Sequence, residues 1–412
     1  MNPMNETFSD HDKMKILILG NAKGSEYSGV DFVNEMMKYK YTESLDYVEF
    51  YLKNGFSPTH EHIARYVTSN GFNVLIFAPN FFLDIVLLRK LLPNIFLIYS
   101  VSDTEHYFEV INQYQSQIAD LVLVTDFATP SMFNWMGVNA MTYWGFFDPI
   151  RYRNIPGIKK TIDVSFIGLT KHKLSRSTYI QYLQNNGVDV KIFGDDTPEG
   201  KIAFEEKILT FNKSKINLNF SGITDETTFT TQFNIHKRRL QLKGRIIESA
   251  LCGSFSLTEY APGTELLFNI GEEIDVFRDK EELLDKIRYY LKYDEKRERM
   301  ALKGHLRAIK DYDVKSVVPM LFKTVNAQRK IKKYKDVTIY LDSIYLKIFT
   351  SFRFRLIFKF VKMLKFKLIF EELSIILRHK TVSIYQIYVY FIEEFLQNSG
   401  LFKMMKRILN KN

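Results

Sequence analysis

The sequence predicts an α/β chain of two doubly wound parallel-sheet domains facing across a cleft, followed by a helical, basic tail. Three observations carry this. Short continuous apolar runs recur between helix-like segments, the cadence of repeated βαβ units. Pro149, Pro156 and Gly157 cluster between two such series, marking a boundary near residues 150–160. The charge is also lopsided: of 57 Lys and Arg and 47 Asp and Glu, residues 329–412 hold 18 and 6, leaving 39 basic and 41 acidic groups in the first 328. A nearly neutral body disfavours a nucleic-acid partner, whose usual footprint is a basic face. With 412 residues there is ample core for two domains and an appendage.

The elements follow in order. Residues 1–13, MNPMNETFSDHDK, are polar and lack the apolar segment of a secretory signal, so they read as a flexible leader on a cytoplasmic chain. A first domain, 14–152, opens with MKILILG (Met14–Gly20), an apolar run stopped by glycine, then a Gly-containing loop to Gly29 and a helical pattern from Val30. Further strands are expected at Asn73–Ala78, Ile95–Tyr99 and Leu121–Thr125, with a last short one within Met136–Trp144. A second domain, 158–325, repeats the cycle at Ile162–Gly168, Val188–Gly194, Ile216–Phe220 and Ser254–Thr258. Asp279, with Glu282 three residues on, has the form of a capping box for a helix carrying Leu283, Leu284, Ile287 and Leu291. The lone cysteine, Cys252, excludes an internal disulfide and, beside Gly253, reads as a small buried apolar residue.

The stretch Lys243–Asp279, KGRIIESALCGSFSLTEYAPGTELLFNIGEEIDVFRD, is the most informative. A helix starting at Gly244 and Arg245 would turn free N–H groups and the Arg245 guanidinium toward an anion. Glu248 lies one helical turn on, where its carboxylate can accept hydrogen bonds from ribose hydroxyls. Gly253 lets the chain turn from helix into strand, and Thr258 and Glu259 lie at that strand's carboxyl end, where open α/β sheets bind ligands.

Arg-x-x-Glu, then Cys-Gly, Thr-Glu-Tyr-Ala-Pro-Gly, Gly-Glu-Glu and Arg-Asp resemble, in that order, the glycosyltransferases similar to spore maturation protein CgeB. The resemblance runs from about Asp163 to Tyr312 and more weakly back to Met14, and Trp144-Gly-Phe-Phe-Asp-Pro-Ile resembles the interdomain stretch of the same proteins. It implies a GT-B fold of two Rossmann-like domains and a hexosyltransferase-like transfer of sugar from a nucleotide-diphosphate sugar to an envelope glycan, lipid or protein. It implies that an arginine after the second domain's first strand approaches the donor phosphates; Arg176 is the match and Lys171 the lesser candidate. Fixed cations there would stabilise a departing diphosphate without a tightly bound metal or other cofactor. Gly194, at a strand end, would lie near base and ribose, although turn formation explains it equally. In the large retaining family with two carboxylates seven residues apart, Glu248 would match the second, but Gln241 stands in the first's place, so stereochemistry stays open.

In the first domain Asp103 and His106 follow a strand and would face the cleft, Asp103 as a general base or either as a ligand for an acceptor hydroxyl; a helix cap is the ordinary alternative for Asp103. Neither Asp103–Glu105 nor Asp195–Asp196 has a metal-site spacing, and His60 and His62 lack a third ligand and read as surface histidines. Neither a Walker loop nor a GxSxG elbow occurs. The tail, 326–412, interleaves bulky apolar residues with Arg and Lys over Ser351–Phe370. Such a helix, its aromatic side inward, suits the headgroup layer of an anionic leaflet on the inner face of the cell membrane; packing on the body or on a second copy in a homodimer is the alternative. It carries too many charges to span. Other readings are a nucleotide-sugar epimerase or phosphorylase on the same paired domains, and a non-catalytic nucleotide-sugar-binding scaffold, to which Gln241 points.

Overall fold

The computed structural model describes residues 14–20, 29–102, 107–127, 129–144, 147–170, 174–194, 197, 199–222, 240–331, 339, 341–378 and 392. The first apolar runs form β1 (Ile16–Leu19), β2 (Thr42–Leu45), β3 (Val74–Phe77), β4 (Phe96–Val101), β5 (Leu121–Val124) and β6 (Ala140–Thr142). They build one parallel sheet in the order β2-β1-β3-β4-β5-β6, with Ile16 in register with both Thr42 and Val74. Strand β2 is absent from the expected set because TESL has no apolar run; it is an edge strand, buried only at Thr42.

The second series forms β7 (Ile162–Ile167), β8 (Val190–Phe193), β9 (Ser214–Asn219), β10 (Ser256–Glu259) and β11 (Asp275–Phe277). Their order is β11-β10-β9-β7-β8, again all parallel, with Val164 opposite both Val190 and Ile216. In each sheet the order reverses beside its first strand, between β1 and β3 and between β7 and β9; ligands of such sheets sit at the carboxyl ends of the strands at that reversal. The expected capping box is present, Asp279 accepting from the Glu282 N–H at 2.7 Å while Glu282 accepts from the Arg278 N–H at 2.8 Å.

The two halves are tied through their linker. The Asp148 N–H donates to Asp31 at 3.1 Å and Arg151 ion-pairs with Asp31, on the first helix of the N-terminal half. Burial raises the Asp31 carboxyl above its usual range, and the Arg151 hydrogen bond opposes that. The helix Val314–Lys330 returns to the first half, where Phe322 meets Tyr39 edge to face at 4.7 Å and Val318, Leu321 and Val325 join Ile16, Phe32 and Met36 in one core.

Two expectations are corrected. His60 is not a surface residue: it is fully buried, its Nδ1 donating to the Phe56 carbonyl at 2.8 Å and its Nε2 accepting from the Asp84 N–H at 2.8 Å, so it caps a turn in neutral form. Nor is the aromatic side of the tail turned to a lipid surface. Helices Ser343–Lys362 and Phe366–Arg378 form an antiparallel hairpin whose Tyr345, Phe349, Leu356, Phe360 and Leu368 pack with Tyr51, Phe56 and Tyr114 of the N-terminal half. Arg353 and Glu372 are paired at 3.2 Å beneath it, both essentially inaccessible. No described helix is long and apolar enough to cross a membrane.

Candidate functional site at the carboxyl edge of the second sheet

The residues around the β7/β9 reversal are drawn from four strand ends. Strand β7 delivers Phe166 and, just beyond it, Gly168. The guanidinium of Arg245 lies 5.6 Å from the Phe166 ring centroid and that of Arg176 lies 5.9 Å from it, so two cations share one aromatic ring. Gly168 gives Arg245 its place, since a Cβ there would stand 3.2 Å from Arg245 Nη2 and 2.9 Å from the Phe166 ring. Arg176, buried on the helix Leu174–Asn185, donates from Nη1 to the Leu169 carbonyl at 3.1 Å and reaches the Gly222 carbonyl from Nη2 at 3.5 Å. Arg245 is half-buried and Arg176 buried.

Glu259 closes the ring from β10. Its Oε2 accepts the N–H groups of Ser221 (2.8 Å) and Gly222 (2.9 Å), pinning the chain that leaves β9. Burial raises its carboxyl, while the Gly222 and Ser221 amides and Arg176 act in the opposite sense. The Gly222 peptide is thus gripped on its N–H by Glu259 and on its carbonyl by Arg176. Gly194, at the end of β8, presses on the same edge: a Cβ would fall 2.5 Å from the Gly168 carbonyl oxygen, a backbone clash that only glycine avoids. Thr258 is fully buried, its hydroxyl accepting from Asn219 at 2.7 Å, so it clamps β10 to β9 and does not line the cleft.

Glu248 lies apart from this cluster. The helix Arg245–Leu251 begins as expected, with Gly244 at its N-cap, its carbonyl accepting the Glu248 N–H at 3.0 Å. Glu248, however, is only 5% exposed and turns to the linker: its carboxylate ion-pairs with Lys207 at 2.6 Å and accepts from the Tyr152 hydroxyl at 3.4 Å. Tyr152 is held edge-on between Phe147 (5.3 Å) and Phe204 (5.2 Å), with Arg151 stacked 4.2 Å above Phe204. The structure brings Arg176, Arg245, Gly194 and Glu259 together and sets Glu248 at the hinge. Gln241 is buried beside Lys243, whose Nζ donates to it at 2.8 Å. Asp103, His106 and Lys171 lie outside the described residues.

Phe166, Gly168, Gly222, Lys207 and Tyr152 are absent from the expected set. Gly168 directly follows a strand, the signal that singled out Gly194, and was legible in that sense; Gly222 stands three residues beyond β9. Lys207 and Tyr152 carry no local signal, because they meet Glu248 only through the tertiary fold. Across the cleft Gly263 (φ 93°) abuts the first half, with a Cβ there 2.8 Å from the Phe127 ring.

Residues 176–322 match a family model described as glycosyl transferase-like. No curated protein sequence matches the chain. Among solved structures it is similar to Anabaena Alr3699/HepE in complex with UDP and glucose (TM-score 0.54, 14% identity, 76% of this chain and 100% of that one). It is likewise similar to sucrose-phosphate synthase from Thermosynechococcus elongatus (TM-score 0.55, 9% identity, 78% and 100%). A third is a glycosyltransferase from Rickettsia africae (TM-score 0.54, 10% identity, 78% and 100%). The chain has the GT-B fold of two facing Rossmann-like domains, and residues 176–322 of its second half match the glycosyl transferase-like family model.

Proposed function

We propose that the protein is a glycosyltransferase of the CgeB-like kind, moving a sugar from a nucleotide-diphosphate sugar to an envelope glycan, lipid or protein at the inner face of the cell membrane. The donor binds to 158–325 and the acceptor to 14–152. The observation that carries this reading is the pair of guanidiniums, Arg176 and Arg245, sharing Phe166 at the strand reversal. Fixed cations there favour the diphosphate as its charge grows on departure, in a site whose dipoles need no rearrangement. Transfer then requires no tightly bound metal. That HepE was solved with UDP makes uridine nucleotides the first to try.

Glu248 takes the ribose in this reading. Because Glu248 is only 5% exposed and faces Lys207 and Tyr152, meeting the hydroxyls requires its carboxylate to exchange those contacts for the ribose. Lys171, Gly194 and Gly244 complete the donor side; Asp103 and His106 serve the acceptor, Asp103 as base.

A thermal-shift screen over nucleotide diphosphates and their sugars tests this. A ligand bound only by the native state raises the melting temperature, by an amount equivalent to about 2.7 kcal/mol at a hundredfold excess over Kd. No shift with any member removes the donor site. Conversion of a donor to an isomer without acceptor, seen in product analysis, favours an epimerase instead.

A further inference from the structure

The hairpin formed by helices Ser343–Lys362 and Phe366–Arg378 buries one side on the N-terminal half, where its turn is tied through Lys365 to Leu52, and leaves the other side of the turn exposed. The turn is built in an unusual way. The Leu364 N–H donates to the Val361 carbonyl at 3.0 Å and the Lys365 N–H to the Phe360 carbonyl at 2.9 Å, the paired bonds that close a helix when the residue between them is left-handed. That residue is usually glycine, yet here it is Leu364, at φ 55°, the one described non-glycine residue with a positive φ. Its side chain is 74% exposed, so no packing inside the protein repays the strained backbone. A strained position kept for an exposed leucine points to a use outside the chain.

The surroundings say what that use is. Phe366 (63% exposed) and Phe370 (71%) lie at i and i+4 on the second helix, with exposed Leu377 at i+11 on the same stripe. Lys359, Lys362 and Lys367 are exposed beside them, and the stretch from Lys359 to Phe370 contains no acidic residue. Lys365 is turned inward, donating to the Leu52 carbonyl at 2.7 Å. Large apolar groups at the apex with a collar of ammonium groups behind match a layer whose interior is apolar and whose surface is anionic.

We propose that this turn is a membrane anchor: Leu364, Phe366 and Phe370 enter the interfacial layer of an anionic bilayer tip-first, while Lys359, Lys362 and Lys367 bind its headgroups. The inference rests on the membrane location proposed above and replaces a helix lying flat on its aromatic face by a local insertion, since that face is covered by protein. The buried Arg353–Glu372 pair fixes the hairpin to the acceptor-side half, so the anchor orients that half toward the lipid.

The test uses the full chain and co-sedimentation with vesicles of phosphatidylglycerol mixed into phosphatidylcholine, against phosphatidylcholine alone. Binding is expected only with the anionic lipid and is expected to weaken as salt rises. Phe366→Ser with Phe370→Ser should lower partitioning at least about tenfold. Lys359→Gln with Lys362→Gln and Lys367→Gln should lower it about fivefold per lysine. Leu364→Gly should also weaken binding while its melting temperature stays level or rises, which excludes a folding defect as the cause. Failure of the native chain to bind anionic vesicles, or tip variants that bind as well as it does, overturns the proposal. So does a tip variant that changes only the oligomeric state, which would make this face a contact between copies. Nucleotide binding, measured separately, should be unaffected by all three variants. A chain that binds vesicles and no nucleotide keeps the anchor and loses the transferase; the opposite pattern loses the anchor alone.

Discussion

Replacing Arg353 by methionine tests how firmly the C-terminal hairpin belongs to the N-terminal half. Arg353 is fully buried and Glu372 is 1% exposed; the guanidinium donates to Glu372 at 3.2 Å, to the Tyr51 hydroxyl and to the Phe81 carbonyl. Arg353→Met leaves the Glu372 carboxylate in the same apolar shell with Tyr51 as its remaining neutral donor. Removing one member of a buried pair costs about 3–5 kcal/mol, whereas replacing both by apolar residues of similar volume is often neutral or stabilising. Arg353→Met should lose that amount, and Arg353→Met with Glu372→Leu should recover most of it. Urea unfolding followed by fluorescence of buried Trp144 reads the half concerned. The pH dependence supplies a second check. Burial raises the Glu372 carboxyl, with Arg353 opposing. A raised folded value contributes stability that is present below the unfolded carboxyl range and lost as pH rises through the folded value. Without Arg353 the folded value climbs further, so the deficit of the single variant should be smaller at pH 5 than at pH 8. A single variant that loses less than about 1 kcal/mol, or a double variant no better than the single, refutes the reasoning.

Two further substitutions probe the C-terminal half. Gly194→Ala places a Cβ 2.5 Å from the Gly168 carbonyl; it should cost about 1–3 kcal/mol in thermal unfolding and weaken nucleotide binding, because Gly168 backs Arg245. A neutral effect would mean that the two strand ends are not in contact. Lys207→Met leaves the buried Glu248 without its cation and should destabilise by about 3 kcal/mol, with Lys207→Met plus Glu248→Gln recovering most of the loss. Additive effects would show that the 2.6 Å pair is not formed in solution.

The architecture was legible because each central strand of a parallel sheet is buried on both faces and so appears as an unbroken apolar run. Leu121–Val124 and Val74–Phe77 could hardly be anything else. Edge strand β2 and the acidic strand β11 lack that signature; DVF takes its place through pairing of Leu257 with Asp275, and no local pattern announces this. The site was legible where a residue ends or directly follows a strand, as Glu259 and Gly194 do, or opens a helix, as Arg245 does. It was not legible where two partners meet only after folding. Helix spacing put Glu248 on the same face as Arg245, but Lys207 and Tyr152, from segments far off in sequence, turn its carboxylate to the hinge. The tail shows the same limit. Its alternation of aromatic and basic residues is amphipathic, and amphipathicity alone does not say whether lipid or protein covers the apolar side.

The most direct measurement is isothermal titration of UDP and UDP-sugars into the native chain, Arg245→Ala and Arg176→Ala. Each guanidinium that meets a diphosphate contributes charge-assisted hydrogen bonds of about 1.5–3 kcal/mol, so each variant should bind about tenfold to a hundredfold more weakly with its fold intact. Affinities equal to that of the native chain in both variants would contradict the account, since the cations beside Phe166 would then not hold the donor.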